Sequence, residues 1–90
     1  MKPSEFLKKN GWCKGEVARD AEGKETSILD DKAVSFCLNS VVYMAYRYQE
    51  EQRKEAYRKV DEVVLNVCHW NDHICKSKDQ AIKMLESIGE

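Results

Sequence analysis

Eight consecutive residues, Cys68-His69-Trp70-Asn71-Asp72-His73-Ile74-Cys75, hold two of the four cysteines and both histidines. Thiolate and imidazole are the ligands zinc prefers, so Cys68, His69, His73 and Cys75 invite a metal reading. The spacing speaks against it. Structural zinc sites draw on two separated ligand pairs such as C-x-x-C, whereas here every candidate crowds into one short segment. The expectation is no metal and no cofactor, with a zinc-stabilised interaction module kept as an alternative. A Cys–His nucleophile pair on the same residues lacks a third group to orient it. Cys37 falls within an apolar helical pattern, where a thiol behaves as a small hydrophobe.

Two polar dipeptides are the other candidates, Arg19-Asp20 and Asn71-Asp72. If their loops meet, an arginine flanked by carboxylates could hold a small polar ligand, as in a ligand-binding domain or small enzyme. The blander reading has Arg19 and Asp20 bonding across a hairpin turn while Asn71 and Asp72 satisfy backbone donors. No obvious nucleophile, phosphate-cradling glycine loop or carboxylate cluster accompanies them.

The elements that must position these residues fit into one domain, residues 1–90. Fifteen basic and sixteen acidic residues nearly cancel, and they cancel in each half of the chain as well. Capture of nucleic acid or of an anionic membrane requires a basic surplus, which is missing. No apolar run approaches the roughly 20 residues of a membrane span. Met1-Lys2-Pro3-Ser4-Glu5 lacks the apolar stretch of an export signal, so the thiols are read as reduced and the setting as cytoplasmic.

Pro3 and Ser4 open a short helix to about Lys9, with Ser4 as its cap and Asn10-Gly11 as its left-handed stop. Residues 16–19 and 24–27 suggest a small hairpin around Gly23. From Asp30 the period turns helical, with Val34, Cys37, Leu38, Val41, Ala45 and Tyr48 on one stripe. Phe36 and Tyr43 lie on the opposite side with Arg47 nearby. A further helix carries Ala56, Val60, Val63 and Val67 to about Cys68, with Leu65 pointing away from the stripe. One rod of about 55 Å is formally possible, but two antiparallel helices turning within residues 48–54 are preferred. The last helix starts at a Ser77/Gln80 capping box and ends at Gly89. The fold class is α+β, mostly helical, with about four helices and a small N-terminal hairpin. Trp12 and Trp70, the largest apolar side chains, are expected to be mostly buried.

Gly11-Trp12-Cys13-Lys14-Gly15, then Ala18-Arg19-Asp20 and Gly23, and finally Trp70-Asn71-Asp72 before a capped helix, form a pattern close to G-W-x-x-G…A-R-D…W-N-D. This resembles a small uncharacterised domain family encoded in bacterial and phage genomes. The resemblance covers most of the chain except Tyr46 to Glu62 and carries no established activity. It implies an accessory gene. The functional expectation is therefore a non-catalytic factor that binds a host or phage protein and inhibits or redirects a host system. Its most concrete form is an anti-defence role against an RNA-guided nuclease. Phe36, Tyr43, Arg47 and Leu65 are the expected contact residues, on a chain that is a monomer or homodimer.

Overall fold

A proline at the first helical position and Glu5 in the first turn start α1 (Pro3–Lys9). The computed structural model, which describes residues 1–90, puts the cap at Lys2, two residues earlier than Ser4. Glu5 accepts the Lys2 backbone N–H at 3.0 Å, and the buried Ser4 instead donates its N–H to the Glu90 carbonyl at 2.8 Å. Asn10 is extended, not left-handed.

Gly11 opens β1 (Gly11–Trp12), followed by β2 (Ala18–Arg19) and β3 (Ser35–Phe36). The strand order is β1-β3-β2, with β3 parallel to β1 and antiparallel to β2. A Cβ on Gly11 would stand 2.9 Å from both the Ser35 Cβ and the Val34 carbonyl oxygen. Glycine is therefore required there by strand approach, not by helix termination. The expected hairpin is present as a short one, its arms joined by the Asp20 N–H on the Lys24 carbonyl at 2.9 Å and the Thr26 N–H on the Ala18 carbonyl at 3.0 Å. Arg19 bridges Glu25, Gly23 sits at φ +81°, and Asp20 accepts the Glu22 and Lys24 N–H groups at 3.0 and 2.9 Å. The sheet's centre is β3 instead. An isolated hairpin is marginal, and β3 gains backbone partners on both sides.

Residues 30–36 are consequently not helical. Asp30 accepts the Lys32 N–H at 2.8 Å and stabilises a turn. Cys37 caps α2 (Leu38–Ala45), and α3 (Glu50–Val64) follows as a separate helix. Arg53 donates to the carbonyls of Tyr46 and Arg47, at 3.3 and 3.0 Å. Those bonds satisfy groups that the end of α2 leaves open, so no continuous rod forms.

α3 stops at Val64, short of Cys68, because Leu65 turns to φ +67° and ψ −51°. Asn66 then caps the single turn α4 (Val67–His69), accepting the His69 N–H at 3.0 Å. A π-helical turn, Trp70–Ile74, continues from it and closes with Cys75 N–H on the Trp70 carbonyl at 2.7 Å. α5 (Lys78–Ser87) begins on Ser77, whose hydroxyl accepts the Gln80 N–H at 3.1 Å. Gly89 ends it at φ +80°. The core is drawn from α1, the sheet and the three long helices: Leu7, Phe36, Leu38, Val41, Val42, Ala56, Val60, Ala81 and Leu85. The chain is thus α+β and mostly helical, with five helices and a three-stranded sheet near its N-terminus.

Glu90 fastens the far ends together. Its carboxylate accepts the Tyr46 hydroxyl at 2.7 Å and the Lys59 ammonium at 2.9 Å. No helix is long and apolar enough to cross a membrane.

Candidate functional site

The π turn carries the best-connected polar side chain in the molecule. Asn71 is 1% exposed. Its Oδ1 accepts the Trp12 indole N–H at 2.7 Å and the Leu38 backbone N–H at 3.0 Å. Its Nδ2 donates to the Cys13 carbonyl at 3.1 Å and to Asp72 Oδ1 at 2.9 Å. One amide thereby joins β1, the start of α2 and the π turn, with every polar valence used. Asp72 adds a second tie, accepting the Gly15 N–H at 2.9 Å. That backbone donor, and then the Asn71 amide, hold the Asp72 carboxyl below its ordinary pKa.

The residues of the glycine–tryptophan, Ala-Arg-Asp and Trp-Asn-Asp motifs are held either at this joint or in the turns beside it. Ala18 is fully buried. Arg19 donates to the Gly23 and Lys14 carbonyls at 3.0 and 2.9 Å and so ties the two glycine turns together. Trp12 is half-buried, with its ring beneath the Lys14 ammonium at 5.5 Å. Trp70 is half-buried and packs against the core. Each indole keeps only a minority of its surface in solvent and packs against the core, in line with the expectation of mostly buried rings.

A family model for a family of unknown function, DUF6197, matches residues 4–89. The chain belongs to this family. No curated protein and no solved structure matches it. The organisation suggested by the motif is therefore that of DUF6197, and in this member Trp12, Gly15, Asn71 and Asp72 of the motif form the joint between sheet and helices.

A cleft of about 230 Å³ opens beside the joint, lined by Gly15, Glu16, Val17, Glu25, Cys37, Cys68, Asn71 and Asp72. The nearby Glu25 carboxyl, and then burial, push the Glu16 pKa up. Nothing in the sequence paired these two carboxylates, which sit on opposite sides of the Gly23 turn. The four polar candidates do not share this cleft. Asn71 and Asp72 line it, but Asp20 lines a different hollow with Ala21, Glu22, Asp31, Lys32 and Val34. Arg19 spends its guanidinium on carbonyls. The arginine-and-carboxylate pocket is therefore corrected to a structural tie and two separate hollows.

The four cysteines are free. Burial is the leading cause that pushes the Cys13, Cys68 and Cys75 thiols up in pKa, away from the thiolate form a nucleophile needs. Cys75 is fully buried, its thiol on the Ser77 carbonyl at 3.3 Å. That removes it from the proposed ligand set, and no group of three or more His, Cys, Asp or Glu residues is placed to hold a metal.

Of the expected contact residues, Phe36 is corrected outright. It is 3% exposed in β3, edge-on to Phe6 with ring centroids 5.2 Å apart, because residues 35–36 form a strand and not a helix face. Tyr43 is half-buried, with the Arg53 guanidinium over its ring at 5.3 Å. Arg47 is exposed and lies over the Tyr48 ring at 5.1 Å. Leu65 is 85% exposed. The helical phase already pointed Leu65 outward; its positive φ had no sequence signal, since neither glycine nor asparagine occupies the position.

Proposed function

We propose that this DUF6197 member is a non-catalytic factor that works in the cytoplasm by binding another protein, in the setting of a phage or mobile element acting on a host system. An anti-defence role remains its most concrete form. The observation that carries the reading is Leu65. The Asn66 N–H donates to the Val64 carbonyl at 2.8 Å, closing a three-residue turn around it. A non-glycine residue held at such angles costs about 1–3 kcal/mol. Its side chain is almost wholly in water, with Val63 beside it also exposed, so folding gains nothing from leucine here. A large apolar side chain kept at a strained, protruding corner is suited to filling a pocket on a partner. Burial raises the pKa of the Cys13, Cys68 and Cys75 thiols, which favours binding over thiolate catalysis. The near-neutral charge favours a protein partner over nucleic acid.

The ligand-binding alternative keeps its cleft but loses its cation, since Arg19 is turned to carbonyls. The protein-binding reading is tested by affinity capture in the native host with wild-type and Leu65→Ser chains. The variant should keep its far-ultraviolet spectrum and lose its co-purifying protein by roughly thirtyfold in affinity, the loss expected for an interface anchor. Undiminished capture of the same protein would remove Leu65 from the interface.

A further inference from the structure

His69 closes α4 and His73 stands four residues on, in the π turn. Their rings lie side by side, centroids 4.9 Å apart and planes tilted by 43°. Both residues are exposed. We infer that His69 and His73 form a two-imidazole site for a borderline divalent transition ion, zinc or copper(II), with the remaining coordination positions open.

Imidazole nitrogens bind such ions at about 2.0–2.1 Å, which places two rings in neighbouring positions with centres roughly 5 Å apart. The observed centroid spacing of 4.9 Å matches that requirement. The site is also held in advance. Asp72 is fixed to Gly15, Asn71 is fixed to the β1 segment and to the start of α2, and the turn closes on the Cys75 N–H. A ligand pair on a rigid turn loses little freedom on binding. His69 makes its hydrogen bond to Asn66 through the backbone, leaving the ring free for an ion.

The neighbouring candidates do not complete a closed site. Cys75 is buried, and one Asp72 oxygen is committed to Gly15 and Asn71. Imidazole without thiolate selects zinc, copper or nickel over calcium and magnesium. Two ligands leave vacant positions for water or for a side chain of another protein, so the site is an accessory one on which folding does not depend.

The test is calorimetric titration of the tag-free chain with zinc, and separately copper(II), in a non-coordinating buffer near neutral pH. Wild type, His69→Ala, His73→Ala and Cys68→Ser are compared. One ion per chain is expected, with affinity reduced at least about tenfold in either histidine variant and unchanged in Cys68→Ser. The ion should raise the thermal midpoint of the wild type and of neither histidine variant. Absence of binding at millimolar ion would overturn the assignment. So would binding that survives both histidine substitutions, or binding that disappears with Cys68→Ser. Both histidines are exposed, so their substitution leaves the core intact, and matching far-ultraviolet spectra verify this.

Discussion

Asn71→Ala is expected to lower the thermal midpoint by about 15 °C or more, the largest effect of any single polar substitution in this chain. The change strands the Leu38 N–H, the Trp12 indole N–H and the Cys13 carbonyl, all of which now meet the buried amide. An orphaned buried polar group costs about 1–3 kcal/mol, so the total loss for the three is roughly 3–9 kcal/mol. A domain of this length has a total stability of roughly 5–13 kcal/mol, so the loss takes a large share of it. Asp72→Ala gives up the Gly15 N–H from a partly exposed position and should cost only about 1 kcal/mol. Melts of the two variants followed by circular dichroism decide the matter. If Asn71→Ala melts within a few degrees of wild type, the amide is no structural joint, and a ligand role for it returns.

The second large effect is at Glu90. Glu90→Ala leaves the Tyr46 hydroxyl without its acceptor and Lys59 without its partner, at a cost of about 2–3 kcal/mol. The same contact sets an alkaline limit. Burial first, and then the Glu90 carboxylate, keep the Tyr46 phenol protonated well above its ordinary range. Burial likewise pushes Tyr57 up to about 12. Both folded-state pKa values are raised, so this stability is intact below the unfolded tyrosine value of about 10 and is lost as pH climbs through the folded values. Denaturant midpoints should therefore fall from about pH 10 upward. Tyr46→Phe should begin lower and decline less steeply. A wild-type profile that stays flat to about pH 12 would contradict the assignment.

What the sequence made legible was mostly local. The Ser77 cap, the buried Val41, Ala45, Ala56 and Val60 of the two stripes and the exposure of Leu65 are found as read, whereas Val34, Tyr48 and Val63, read on the same stripes, are exposed. The strand Ser35–Phe36 was hidden because Val34 to Leu38 fits a helical period equally well. Its partners at residues 11–12 and 18–19 lie far away in the chain, and only their pairing decides the outcome. Asn71 and Asp72 were read as satisfying backbone donors, which is what they do. Their partners at Gly15 and Leu38 and the Trp12 indole stand 57, 33 and 59 residues away, beyond any local pattern. Trp12 and Trp70 were read from size alone as mostly buried, and both pack against the core with a minor part of each ring at the surface. Leu65's backbone angles left no mark, because the residue type that would announce them is absent.

That mismatch between residue and backbone is the ground for the binding account, and the melting temperature of Leu65→Gly tests it most directly. Glycine adopts positive φ without a steric penalty, and at this exposed position no packing is lost with the side chain. Relief of about 1–3 kcal/mol of strain, less about 0.5–1 kcal/mol for glycine's greater freedom in the unfolded chain, leaves a net gain. The account predicts a midpoint several degrees above wild type together with loss of the captured partner. A midpoint below wild type with capture intact would show that leucine serves the fold at this corner, and would contradict the account.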